Sequence, residues 1–332
     1  MRICIVRLSS LGDIVMCLPM IRTIQKSFPA AEISWVIGDS FYPLLEKLEG
    51  INFIPLPKIK SFKEFLFAKK ILKSYRFDIL LAMQASFSAH LIYSLINAKR
   101  KIGYDRFRSR DFHGLFVNER IPFFKEHTVE GFVRFATTIG AREVSFDGGI
   151  PLGLKEVEWA KQFQSPYFVI NPCSSKREKN WSFGNYLPII EYVINKYGLM
   201  AVVTGGSLDK AGCDQIANAS GCLNLCGKTS LRELAALLKG SKFLLAPDTG
   251  PAHIASALGT PVIGLFAPTS SLLTGPYFSK DQVVDKHSEV LDRLASTKEK
   301  KLGWNVRIYH KEAMDLISID DVIQKIETLN LK

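Results

Sequence analysis

The sequence predicts an α/β protein of two Rossmann-like domains, each built on a parallel sheet, with the sheets facing a central cleft. Three observations carry this. Short apolar runs rich in Val, Ile and Phe alternate with longer amphipathic patterns, the order that builds right-handed βαβ units. The strand runs are continuously apolar, as parallel sheets covered on both faces require. The pattern restarts near residue 165, and 332 residues is a length for two domains.

In the first half, the apolar runs place strands over 2–8, 32–38, 52–56 and 77–83. Helical spacing predicts helices over 13–28, 62–75, 86–98 and 127–139. The N-terminal domain is expected over 1–155. The stretch "SFDGGIPLGLKEVEWAKQFQSP" then reads as a linker, from its Gly and Pro residues. The second domain is expected over 165–310, with strands over 167–171, 199–205, 242–248 and 261–267. Its helices are expected over 183–196, 208–218, 230–239 and 250–258. In the tail, "STKEKKLGWNVRIYH" reads as a basic loop. "SIDDVIQKIETL" reads as a final helix that Ser318 can cap. The segment 311–332 is a candidate to pack back on the N-terminal domain.

Hydrophobic content of 47% and charged content of 23% are those of a globular protein able to bury sizeable cores. No stretch reaches the ~18 apolar residues of a spanning helix, and "MRICIV" is too short for a secretory signal. Six cysteines fall without CxxC spacing and read as small core residues rather than a disulfide or metal framework. A reduced, cytoplasmic protein is expected. The net charge is +11. Between Lys58 and Arg134 sixteen Lys and Arg face seven Asp and Glu, a net +9. "KIKSFKEFLFAKKILKSYR" alternates bases with bulky apolar residues. It is either a solvated amphipathic helix or a basic face for an anionic membrane surface or acceptor. No nucleic-acid-binding signature accompanies the charge.

Three polar breaks follow strands, where open α/β sheets keep their ligands. The first is "RLSSLGD" (7–13). Its Gly12 permits close approach, and Asp13 is open between a catalytic base and an N-cap of helix 13–28. The second is "INPCSSKREKNW" (170–181). The hydroxyls of Ser174 and Ser175, with Lys176, Arg177 and Lys179, suit a phosphate, although an exposed basic loop has the same composition. The third begins "APDTGPAH" at 246. Asp248 or Thr249 can cap the helix that starts at Gly250, and that helix start can hold an anion. His253 lies in its first turn and reads as a site-lining hydrogen-bonder rather than the base.

Taken together, these breaks resemble glycosyltransferase family 9, the bacterial heptosyltransferases of lipopolysaccharide core assembly. "VRLSSLGDIV" and "DTGPAHIASALGTPVIGLFAPT" match the two family signatures in order and distance, and the resemblance runs from residue 1 to about 275. It implies a GT-B fold. It also implies an inverting, metal-independent transfer of L-glycero-D-manno-heptose from ADP-heptose to the inner core (Kdo or heptose) of lipopolysaccharide. No DxD motif is present, in keeping with that expectation. The resemblance makes Asp13 the base and places Ser9, Ser10 and Gly12 on the acceptor side. Arg110, in "IGYDRFRSRD", would meet the acceptor's negative groups. Lys179 falls on the diphosphate-binding lysine, Asp248 on contacts to donor-sugar hydroxyls, and Thr249 and Gly250 near the phosphates. Asp209 and Thr229 fall in the two loops flanking the nucleoside, although a surface Asp and a helix N-cap would look the same. No cofactor is expected beyond the donor substrate.

Two departures bear on the acceptor. Ser88 stands where the family carries a Lys or Arg, with Lys58, Lys60 or Lys63 as candidate substitutes, and Gly131 replaces an Arg after "HTVE". The expected partners are the nucleotide-sugar donor, an anionic lipid A-linked acceptor and the cytoplasmic face of the bacterial inner membrane, but no nucleic acid. The alternatives are a GT-B transferase using another nucleotide sugar and a non-catalytic nucleotide-sugar-binding protein. A dehydrogenase is disfavoured because no GxGxxG follows a strand.

Overall fold

A computed structural model describes residues 1–302 and 306–331. The chain divides into two compact units, Met1–Pro151 and Leu152–Lys332.

The first unit is a six-stranded parallel sheet in the order β3-β2-β1-β4-β5-β6. Its strands are β1 (Arg2–Val6), β2 (Glu32–Gly38), β3 (Ile51–Leu56), β4 (Phe77–Ala82), β5 (Ala98–Gly103) and β6 (Glu119–Arg120). β1 is central: Val6 is level with Val36 of β2 and Ala82 of β4. Its helices are α1 (Leu11–Met16), α2 (Leu18–Ser27), α3 (Tyr42–Leu45), α4 (Phe62–Leu72), α5 (Phe87–Leu95) and α6 (Thr128–Thr138). The helix expected over 13–28 is thus two helices. Pro19 brings no N–H to the first turn of α2 and the chain re-nucleates at Cys17. The helix expected over 86–98 stops at Leu95, which frees the basic segment 98–103 to add β5 to the sheet.

The second unit repeats this plan in the order β12-β11-β10-β7-β8-β9. Along the chain it comprises α7 (Leu154–Ala160), β7 (Tyr167–Ile170), α8 (Tyr186–Tyr197), β8 (Met200–Val203), α9 (Lys210–Ser220), β9 (Leu223–Asn224), α10 (Leu231–Gly240), β10 (Leu244–Pro247) and α11 (Gly250–Ala257). Then come β11 (Val262–Phe266), α12 (Ser271–Thr274), β12 (Val284–Asp285), α13 (His287–Arg293), α14 (Thr297–Leu302) and α15 (Ile319–Glu327). Numbered within each unit, both orders are 3-2-1-4-5-6, the doubly wound Rossmann order.

The segment read as a linker is shared out between the units. Ser145 is tied to Thr23 by two hydrogen bonds of 2.9 and 3.1 Å. Beyond the boundary, Glu156 on α7 pairs with Arg232 on α10 at 2.6 Å. The basic loop expected after residue 295 begins instead as α14, and its residues 303–305 lie outside the described residues.

α15 forms as expected, capped by Ser318. Val322 and Ile326 belong to the second unit's core with Trp181, whose indole N–H donates to the Ile317 carbonyl at 3.0 Å. The helix packs on α8, β11 and β12, so its apolar face is buried within its own unit. Five of the six cysteines are buried, which fits their reading as small core residues.

Candidate active site

The chemistry-bearing loops sit at corresponding places in the two units. In each sheet the first and fourth strands are neighbours whose connections leave to opposite sides, and loops at their carboxyl ends meet at this switch point.

In the first unit these are the loops after β1 and β4. Ser10 is the N-cap of α1 and Asp13 is its third residue, so Asp13 is not the cap. Instead the Asp13 carboxylate reaches back. Its Oδ2 accepts from the Ser10 N–H (3.2 Å) and hydroxyl (2.7 Å), and the Arg7 guanidinium lies 2.5 Å away. Oδ1 has no protein partner among the described residues. Burial works to raise the Asp13 carboxyl, but Arg7, followed by the Ser10 donors, outweighs it and holds the group below the usual aspartate value.

Arg7 is itself fixed, donating to the Met83 carbonyl and lying 5.4 Å over the Phe132 ring. Gln84, just after β4, clamps the loop: its Oε1 accepts from Leu8 N–H (2.9 Å) and Ser9 N–H (3.2 Å). Its amide nitrogen donates to the Ser9 and Ser86 hydroxyls at 3.4 and 3.0 Å. Sequence reasoning treated Arg7 as a pattern match and gave Gln84 no role. The signal for both was positional: each lies at the end of one of the two strands that flank the switch point. Gly12 is buried within α1.

The structure places Arg110 elsewhere in this unit, exposed in the loop after β5. That loop is organised by its neighbours. Asp105 accepts from the backbone N–H of Phe107 and Arg108 and from the Arg108 side chain. The buried His113 ring anchors the loop: its Nε2 accepts from Tyr104 N–H at 3.1 Å, and its Nδ1 faces His90 Nε2 at 3.1 Å. Ser88 lies in the first turn of α5, 3.4 Å from the Ser86 hydroxyl.

In the second unit the loops after β7 and β10 are joined by a mostly buried ion pair. Lys179 Nζ lies 2.5 Å from Asp248 Oδ2, which also accepts from the Thr269 hydroxyl at 2.8 Å. The Ser174 hydroxyl donates to the Asp248 backbone carbonyl at 3.2 Å, and its N–H to Asn180 at 2.7 Å. Asp248 therefore does not cap α11. Thr249 holds the N-cap position and its hydroxyl makes no cap bond; Pro251 brings no N–H and the Ala252 N–H donates to the Thr249 carbonyl at 3.2 Å, so the donor left at this helix start is the Gly250 N–H. Ser175, next to Ser174 in sequence, is exposed, and His253 is buried in the first turn of α11.

Asp209 and Thr229 lie in separate loops. The Asp209 carboxylate takes the Gly206 N–H at 2.8 Å. Thr229 is not a helix cap, since Ser230 caps α10 in a reciprocal pair with Glu233. Thr269 had no place among the sequence candidates. Among the described residues no group of three or more His, Cys, Asp or Glu is arranged to hold a metal ion.

The comparisons with known proteins decide the family. Residues 66–302 match the model of glycosyltransferase family 9 (heptosyltransferase). The chain is 34% identical to the lipopolysaccharide core heptosyltransferase OpsX of Haemophilus influenzae, over 99% of this chain and 97% of that protein. The chain belongs to glycosyltransferase family 9. It is a glycosyltransferase with the GT-B type of architecture, two Rossmann-like units. In fold it is similar to a family 9 glycosyltransferase from Veillonella parvula, with a TM-score of 0.82 at 21% identity, covering 99% of this chain and 96% of that one. It is also similar to the E. coli heptosyltransferase WaaC solved with ADP, with a TM-score of 0.75 at 20% identity, covering 99% of each chain.

Proposed function

We propose that this protein is an inverting heptosyltransferase. It transfers L-glycero-D-manno-heptose from ADP-heptose to the inner core of lipopolysaccharide, with Asp13 as the general base. The substrate class rests on the full-length likeness to OpsX, a lipopolysaccharide core heptosyltransferase by name. The chemistry rests on one observation: Asp13 has one oxygen held by Arg7 and Ser10 and the other without a protein partner.

In this reading Oδ1 accepts the proton of the acceptor hydroxyl as that oxygen attacks the anomeric carbon. The bond from that carbon to the diphosphate oxygen breaks, and ADP leaves with the electron pair. Arg7 keeps the carboxylate ionised and fixes its plane. The serines of the loop and Arg110 belong to the acceptor side. On the donor side, Lys179 and the Gly250 N–H at the start of α11 meet the diphosphate, with Ser174 and Ser175 as hydroxyl donors and Thr249 beside them. Asp248, held by Lys179 and Thr269, receives sugar hydroxyls, and His253 lines the site. Asp209 and Thr229 flank the nucleoside. The positive charge needed on the leaving group thus comes from the protein, and no metal is required.

The enzyme works at the cytoplasmic face of the inner membrane. No helix among the described residues is long and apolar enough to cross a membrane, so the contact in this reading is peripheral. The test is transfer from ADP-heptose to a panel of truncated core acceptors, with and without a chelator. Glycosylation of one of them, unaffected by chelation, is expected. Failure to glycosylate any acceptor together with failure to bind ADP-heptose would overturn the reading.

A further inference from the structure

We propose that α4 is the element that docks this protein on an anionic lipid surface. The proposal gives the peripheral location above a physical site, and it rests on that reading for its biological setting only.

α4 is a firmly started helix. Ser61 caps it, and the Ser61 N–H donates to Glu64 at 2.7 Å. A helix on the outside of a sheet ordinarily turns polar residues outward. Here only Ala68 and Leu72 are fully buried, while Phe62 is 72% exposed, Leu66 46% and Phe67 49%. With a 3.6-residue period, Phe62, Leu66, Lys69, Lys70 and Lys73 share one face, with Lys63 and Phe67 at its margin. Phe87, 67% exposed, opens α5, the helix on which α4 packs.

The same segment is strongly basic. Lys58, Lys60, Lys63, Lys69, Lys70 and Lys73 are all exposed, and none forms an ion pair among the described residues. The one acid between residues 58 and 73 is Glu64, already taken by Ser61. A purely solvated helix would gain nothing from bare phenylalanines. A protein groove would leave this many lysines without partners unless it were acidic throughout. An anionic bilayer meets both requirements at once. The rings and Leu66 enter the headgroup boundary, and lysine stems extend so that their ammonium groups reach phosphates. Neither signal alone anchors a protein firmly, and the two together do.

The test is co-sedimentation with vesicles of phosphatidylglycerol and phosphatidylethanolamine, against phosphatidylcholine vesicles. The wild-type chain is expected on the anionic vesicles, less so in high salt. The variant Phe62→Ser/Leu66→Ser/Phe67→Ser should bind them roughly tenfold or more weakly. Its melting temperature and its transfer to a lipid-free truncated acceptor should stay unchanged. Lys69→Glu/Lys70→Glu should lose binding to a similar degree. Wild-type binding by both variants, or equal binding to neutral vesicles, would overturn the proposal. So would wild-type dimers that the serine variant converts to monomers, since the patch would then be covered by a second copy. Vesicle binding needs neither acceptor nor turnover, so its outcome is separate from that of the heptosyl transfer assay.

Discussion

Asp13 sits where burial alone would push its carboxyl up, beside an arginine that pulls it down. In the proposed mechanism Asp13 is the base and must be ionised, so transfer is expected to fall as the pH drops through the pKa of this group. With Arg7 in place that fall lies below the usual aspartate range. Arg7→Met removes the opposing charge and leaves burial in command. The acid limb of the kcat profile should then move up by about 1–2 pH units, with ADP affinity unchanged. Arg7→Lys should move it less. An unmoved limb in the methionine variant, with turnover retained, would show that Arg7 does not tune the base. A residue-scale reading of the sequence left Asp13 open because a cap and a base have the same composition. In the structure Ser10 holds the N-cap position, and Asp13 closes the capping box by accepting the Ser10 N–H on Oδ2, a structural role that leaves Oδ1 for the proposed base role.

At the scale of elements, the two switch-point clusters make different demands. Lys179 is joined to Asp248 across two loops, so Lys179→Ala both removes a cation and leaves a mostly buried carboxylate unpaired. The KM for the donor is expected to rise roughly 10–100-fold, as for loss of a charged hydrogen bond, with Lys179→Arg partly restoring it. An unchanged KM would take Lys179 out of the donor site. The loop that carries Arg110 leans on the His90–His113 pair. Burial pushes His113 down to about 4, with further lowering from His90 and Arg120. The unfolded ring protonates near 6.5, so this pair contributes stability above that pH and loses it as the pH falls from about 6.5 through 4. The melting temperature should drop across that window, and His113→Asn should flatten the drop even if it lowers the plateau. A wild-type curve flat from pH 7 to 4 would contradict this.

Which elements the sequence reveals follows from their burial. β1, β4, β7 and β10 are central and covered on both faces, and apart from Arg2 and Asp78 at the strand starts they are apolar throughout, so their patterns are plain. β5 reads "AKRKIG", with half its residues charged. It is held by pairing to β4 and by the Arg100–Glu119 ion pair rather than by its own hydrophobicity. β6, β9 and β12 are two-residue edge strands with no local pattern to find. The break at Cys17 was visible as Pro19. The clamp from Gln84 and the Thr269 contact were not, because each joins residues far apart in the chain.

At the scale of the whole molecule, one topology is used twice, and the proposed function gives each copy its own task. Each unit has the strand order 3-2-1-4-5-6, and each gathers its polar side chains after the first and fourth strands. The first unit's cluster is built around a carboxylate held ionised, which suits proton removal from an acceptor. The second unit's cluster offers a lysine, hydroxyls and a helix start, which suits a diphosphate. Such a division of labour makes proton removal and donor binding separable. It is tested most directly by measuring turnover and ADP-heptose binding of Asp13→Asn side by side. Transfer should fall by about 10²–10⁴-fold, the range for loss of a general base, while the donor dissociation constant stays within about twofold of wild type. Near-normal turnover by Asp13→Asn would contradict it.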